Sequence, residues 1–143
     1  VSTDSCLFGA WVSAEVKSRT SKVKNALDIG TGTGLLMLML AQKVDALIDG
    51  IEIDAPSYEQ AKENLNISEW CKRLHLFLGD VKEFTFETKY DLIVSNPPFY
   101  EGDLKSDAAN RNVAMHDAGL KLDELLKVVD KNLSEAGWFA VLL

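Results

Sequence analysis

Short apolar runs alternate along the chain with stretches whose apolar residues recur at helical spacing, which predicts strands and helices in βαβ order. Ala26-Leu27-Asp28-Ile29 reads as a first strand. It runs into a glycine-rich loop, and the helix formers Leu35 to Ala41 follow. Leu47 to Ile53 reads as a second strand. Asp54 then caps a helix extending to about Asn66, with Pro56 in its first turn, where a missing N–H is harmless. Leu74 to Leu78 and Tyr90 to Ser95 read as the third and fourth strands. Leu122, Leu125, Leu126, Val129 and Leu133 mark a last helix, with Gly137 as a stop before a final apolar strand, Trp138 to Leu143.

Ahead of the first strand, a helix from about Asp4 to Lys17 is expected to turn Leu7, Trp11 and Val12 inward. The stretch between Phe99 and Gly119 has no convincing period and exceeds the roughly 12–15 residues usual for a structureless connection, so it reads as a substrate loop. The pattern implies a single α/β domain over residues 1–143, a mostly parallel sheet with helices on both faces. Because the chain opens on Val1 and closes on an apolar run, it reads as a domain excised from a longer protein.

Composition narrows the function classes. The chain is 47% hydrophobic and 26% charged, and no apolar run approaches the ~20 residues of a membrane helix. Cys6 and Cys71 form no CxxC pair, and His75 and His116 stand alone, so neither a disulfide framework nor a metal site is expected. His75 is read as an ordinary residue of its strand face. A cytoplasmic monomer is the expectation. The formal charge of −7 argues against sequence-blind binding to nucleic acid, yet leaves room for a nucleic-acid substrate held by a local basic patch.

The glycine loop discriminates between cofactors. Its glycines stand at 30, 32 and 34, whereas a dinucleotide fingerprint needs its third glycine at position 35, which is Leu35. Asp28 at the mouth of the loop would repel a pyrophosphate and attract an ammonium group. Glu52, 22 residues after Gly30, stands near the offset at which an acid meets ribose hydroxyls. Asp80 closes the third strand, where an adenine amino group would lie. Asp28, Gly30, Thr31, Gly32, Gly34, Glu52, Ile53, Asp80, Val81 and Asn96 are therefore the candidate residues for S-adenosylmethionine.

After the fourth strand comes Asn96-Pro97-Pro98-Phe99-Tyr100. Two prolines alone would do no more than terminate a strand. The whole tetrad suits a harder task, methylating a planar NH₂ group whose lone pair is delocalised. If the Asn96 side-chain oxygen and the Pro97 carbonyl accept hydrogen bonds from that group, its nitrogen moves toward sp³ character. Phe99 would stack on the planar acceptor, a contact worth ~1–3 kcal/mol for a base. Asn96, Pro97 and Phe99 are the candidate catalytic residues; Pro98, Tyr100, Lys105, Arg111 and His116 are candidates for holding the substrate.

The order Asp28-x-Gly30-x-Gly32-x-Gly34, Glu52, Asp80, Asn96-Pro97-Pro98-Phe99 resembles the class I amino-methyltransferases, which include adenine-N6, guanine-N2 and protein-glutamine-N5 enzymes. The run Thr3-Asp4-x-x-Leu7-x-Gly9-Ala10-Trp11 is more narrowly similar to the bacterial valine-tRNA adenine-N6 methyltransferases. That resemblance implies a Rossmann-like fold lacking the family's final hairpin, S-adenosylmethionine as cofactor and tRNA as partner. Protein-glutamine or rRNA guanine methylation, and a non-catalytic cofactor- or RNA-binding module, remain alternatives.

Overall fold

The computed structural model describes residues 2–20, 22–97 and 120–143. The proposed substrate loop falls outside them. Helix α1 (Thr3–Ser18) leads into β1 (Asn25–Ile29), α2 (Leu35–Lys43), β2 (Leu47–Glu52), α3 (Ala55–Asn66), a 3₁₀ turn (Cys71–Arg73) and β3 (Leu74–Leu78). β4 (Tyr90–Ser95), α4 (Leu122–Asn132) and β5 (Leu133–Val141) complete the described elements.

The five strands lie in the order β3-β2-β1-β4-β5, every pair parallel. Strand order reverses between β1 and β4, and in a doubly wound sheet that switch point opens a crevice at the carboxyl ends of the strands. The loops after β1 and β4 therefore meet there. One core lies between the sheet and the α1–α2 layer, built from Phe8, Val12, Met37, Leu40, Ile48 and Leu92 with Leu65 of α3. On the opposite face Leu27, Ile51, Tyr90 and Ile93 pack against Leu125, Val128 and Val129 of α4. Phe77, Phe84 and Phe86 extend this second core as tilted and edge-on aromatic pairs.

Close approach explains two glycines within the helix–sheet layer. A Cβ on Gly9 would run into Met39, where α1 meets α2, and one on Gly50 would run into Met37, where α2 lies on β2. Arg73 ties the lower end of that layer together by donating to the carbonyls of Ala41, Val44 and Ala46.

Several expectations hold. Asp54 is the N-cap of α3 and accepts the Ser57 amide at 3.0 Å. β3 and β4 have the bounds their apolar runs predict. His75 is exposed, with Nδ1 3.4 Å from Asp49 Oδ1.

Two packing expectations are corrected. α1 buries Phe8, Gly9, Val12 and Ser13, while Leu7 and Trp11 stay 64% and 52% exposed. The inward stripe is phased by Phe8 and Val12 one turn apart, and the small residues Gly9 and Ser13 let α2 come close. Gly137 is not a helix stop either. β5 begins directly at Leu133, and Gly137 sits inside it, where the register jumps between Tyr90–Leu133 and Leu92–Trp138. There a Cβ would lie 2.9 Å from the Tyr90 carbonyl oxygen, so the position demands a residue without one.

Candidate cofactor and acceptor site

At the switch point lies a cavity of about 500 Å³. Every strand end except that of β5 contributes: Gly30 and Gly32 follow β1, Glu52 ends β2 and Ile53 follows it, Gly79 to Lys82 follow β3, and Asn96 and Pro97 follow β4. Three carboxylates (Glu52, Asp54 and Asp80) face one ammonium (Lys82) in the wall, a balance that favours a cationic ligand.

Gly30, Gly32 and Gly34 have φ of 71°, 58° and 90°, the left-handed region that L side chains rarely enter. They serve different ends. A Cβ on Gly30 or Gly32 would meet nothing within 4 Å, so the backbone there borders open space. At Gly34 it would stand 3.2 Å from Leu65 Cδ2, so that glycine lets α2 start against α3. The Gly30 and Thr31 amides both donate to the Ile51 carbonyl, at 2.9 and 3.2 Å, which hangs the loop on β2.

Glu52, nearly buried, reinforces this hold. Its Oε1 accepts the Gly32 amide at 2.7 Å and its Oε2 accepts the Asp54 amide at 2.9 Å. A carboxylate offers about four acceptor sites, so each oxygen retains capacity toward hydroxyls in the cavity. The carboxylate expected to meet a ribose thus also shapes the glycine loop. Asp80 behaves similarly. Its Oδ1 accepts the Lys82 amide at 2.9 Å, while Lys82 Nζ stands 3.8 Å from Oδ2 and 3.3 Å from Glu124 Oε2. Lys82 thereby braces the β3 loop against the first turn of α4, and its ammonium is held protonated above the usual lysine range by its Glu124 hydrogen bond and by Asp80. Val81 is buried in the wall, and Ile53 offers an apolar surface that is 42% exposed.

Asp28 departs from expectation. Instead of standing at the mouth of the loop it is fully buried and does not line the cavity, because strand alternation turns it, like Ala26, toward the helices α1 and α2. Both its oxygens and Thr31 Oγ1 are buried without a hydrogen-bond partner in the described structure. Burial pushes the Asp28 carboxyl up to about 7; the Thr31 hydroxyl opposes this in part without reaching hydrogen-bond geometry, and the Glu52 carboxylate adds to the rise. Among the described residues, this buried carboxylate beneath the glycine loop has no positive partner. An ammonium group above the loop, acting directly or through water, would supply one. The open ground over Gly30 and Gly32, the acidic wall and this unpartnered carboxylate together fit S-adenosylmethionine.

At the acceptor end the Ser95 hydroxyl donates to the Ile29 carbonyl at 2.9 Å, and the Leu142 amide donates to the Ser95 carbonyl at 3.1 Å. These bonds pin the chain just before Asn96 to the strands on either side. The Asn96 amide nitrogen donates to Ser5 Oγ of α1 at 2.7 Å. Pro98, Phe99, Tyr100, Lys105, Arg111 and His116 lie outside the described residues.

The sequence reading missed Asp54, Ser57, Lys82 and Leu120 in the wall and Ser5 behind it. Ser57 follows from its place in the first turn of a helix capped by Asp54. Lys82 follows from its nearness to Asp80. Ser5 lay within the amino-terminal run as an unassigned position, and no local pattern distinguishes it.

The methyltransferase small domain family model matches residues 12–136. The chain is 43% identical over 143 residues to a tRNA1(Val) (adenine(37)-N6)-methyltransferase of Dyadobacter fermentans, covering 99% of this chain and 57% of the relative. It is 45% identical over 139 residues to the protein of that name from Cytophaga hutchinsonii, covering 96% and 56%. The chain thus spans a little over half the length of these curated relatives. Among solved structures, coclaurine N-methyltransferase bound to N-methylheliamine and SAH superposes with a TM-score of 0.67 at 17% identity, over 95% of this chain and 34% of that one. The glycopeptide N-methyltransferase MtfA complexed with S-adenosyl-L-methionine gives 0.64 at 18% identity, over 93% and 49%. The sheet order, the glycine loop at its switch point and the match along residues 12–136 agree, and the chain belongs to the methyltransferase small domain family.

Proposed function

We propose that this domain binds S-adenosylmethionine in the switch-point cavity and serves to methylate the exocyclic N6 amine of an adenine in tRNA. The observation that carries this reading is the shared cavity. Gly30, Gly32, Glu52 and Asp80, suited to a cationic nucleoside cofactor, line the same space as Asn96 and Pro97, suited to a planar NH₂ group. The choice of tRNA adenine follows the curated relatives, which carry that activity in their names over essentially the whole of this chain.

When bound, the cofactor supplies a methyl group on a sulfonium, electrophilic without further activation. The chain's own residues position and polarise. Glu52, which keeps the glycine loop in place through Gly32, would hold hydroxyls of the ribose, Asp80 would take the adenine amino group of the cofactor, and Ile53 and Val81 would pack its ring. Thr31 and Asp28 underlie the loop on the side of its ammonium.

Asn96 Oδ1 and the Pro97 carbonyl accept the two protons of the target amine, drawing its lone pair out of conjugation. That nitrogen would receive the methyl group of the bound cofactor, and the cationic amine product would then lose its extra proton to water. No general base is required before transfer, so in-line positioning is the main catalytic device. Phe99, Pro98, Tyr100, Lys105, Arg111 and His116 lie outside the described residues; Phe99 is proposed to stack on the target base and the others to contact the RNA. No described helix is long and apolar enough to cross a membrane. A cytoplasmic monomer acting without metal completes the reading.

The deciding experiment incubates the full-length protein with unmodified tRNA and methyl-labelled cofactor and separates the digested nucleosides. Labelled N6-methyladenosine is expected. Label in a protein glutamine, in rRNA guanine or nowhere overturns the reading.

A further inference from the structure

Asn96 is held more completely than its motif requires. Its backbone follows a residue anchored on both sides, through Ser95 Oγ to Ile29 and through the Ser95 carbonyl to Leu142. What remains free is the side chain, whose terminal torsion is broad and nearly two-fold, so that oxygen and nitrogen can exchange places. For an acceptor NH₂ the difference is decisive. Turned one way the amide presents an oxygen to the amine; turned the other it presents N–H to N–H.

The contact that settles this torsion comes from α1, 91 residues away in sequence. Asn96 Nδ2 donates to Ser5 Oγ at 2.7 Å. Ser5 Oγ also stands 3.0 Å from Ser2 Oγ, and Ser2, the N-cap of α1, accepts the Ser5 amide at 3.2 Å. The three groups form a connected series: Asn96 donates to the Ser5 hydroxyl, and the Ser5 and Ser2 hydroxyls share a hydrogen bond in which either can donate. When the Ser5 proton is turned to Ser2, the Ser5 oxygen accepts from the Asn96 amide nitrogen, as in the 2.7 Å contact.

We propose that Ser5 is a positioning residue for methyl transfer, fixing the Asn96 amide with its nitrogen toward α1 and its oxygen toward the target amine. This inference rests on the reading of Asn96 as the acceptor-holding residue. It also gives α1 a role beyond covering the sheet, since the helix cap that starts α1 orients a side chain at the end of β4.

The test compares Ser5→Ala and Ser5→Thr in the full-length protein, reading both turnover and the nitrogen-15 signal of the Asn96 side-chain amide, which is assigned by its loss in Asn96→Asp. Ser5→Ala is expected to lower kcat roughly 10- to 100-fold, with cofactor Kd within about twofold, and to shift the Asn96 amide signal. Ser5→Thr, which keeps the oxygen, is expected to restore kcat to within about threefold. A loss of stability and of cofactor affinity in proportion to the loss of rate would reveal a merely structural Ser5 and overturn the proposal. An unchanged amide signal in Ser5→Ala overturns it whatever the rate. If the parent protein leaves tRNA unmethylated while Ser5→Ala still moves the amide signal, the tRNA reading fails and the hold of Ser5 on Asn96 stands.

Discussion

The Glu52 carboxylate at the end of β2 accepts the backbone amide of Gly32 at 2.7 Å, so the acid expected to hold a ribose also holds the glycine loop that borders it. Binding and loop shape are coupled through one side chain. Glu52→Ala is expected to lose both functions. A charge-assisted hydrogen bond contributes about 1.5–3 kcal/mol, and Glu52 makes two to amides. Calorimetry should show cofactor Kd raised roughly 10- to 100-fold, with thermal stability lowered by about 2 kcal/mol. Equal cofactor affinity in the variant would remove Glu52 from the site.

Asp28 predicts a pH dependence of stability. Its carboxyl keeps a proton to about pH 7 in the folded chain but releases it at the ordinary value of 3.8 when unfolded. Between these values the folded state binds more protons, so stability falls as pH rises from about 4 to about 7 and then levels off. At ~1.4 kcal/mol per unit the loss amounts to about 4 kcal/mol. Asp28→Asn, which carries no charge to bury, should flatten that slope and melt higher than the parent at pH 8, while binding the cationic cofactor more weakly. Parallel melting curves from pH 5 to 8 would dissociate Asp28 from the effect.

Asn96→Ala separates the two halves of the cavity. Removing the amide leaves the glycine loop, Glu52 and Asp80 intact. Cofactor affinity should stay within about threefold, while methyl transfer falls by roughly 100-fold or more, the scale seen when one charge-stabilising group is removed. Equilibrium titration beside single-turnover kinetics makes the comparison. A parallel loss of binding would place Asn96 in the cofactor pocket alone.

Gly50→Ala tests the packing of α2 on β2. The added methyl collides with Met37 in a fully buried core, and overpacking of this kind costs about 1–3 kcal/mol. Denaturant melts of Gly50→Ala and of Gly50→Ala with Met37→Ala should show the second change relieving part of the first. Additive losses would mean that the two residues do not press on one another.

The order of strands and helices, the glycine loop after β1 and the carboxylates Glu52 and Asp80 at the strand ends were legible in the chain itself. These features depend on short-range rules: period, capping, the φ a turn demands, and the placement of polar groups where a parallel strand emerges from the core. Asp54 capping α3 and the bounds of β3 and β4 belong to the same class.

Other features required the assembled fold. Local spacing in α1 allowed Leu7 and Trp11 as well as Phe8 and Val12 to face inward, and only the fit of α2 against Gly9 chose between them. Gly137 looked like punctuation until β4 came close enough to exclude a side chain there. Asp28 became a buried, unpartnered acid because the sheet and helices closed over it. The bond from Asn96 to Ser5 likewise joins residues 91 apart. The sequence by itself determined which groups stand at the strand ends, because each strand and its turn obey local stereochemistry. Only the tertiary structure decided which of them are buried, shared or oriented, because those properties belong to surfaces brought together from distant parts of the chain.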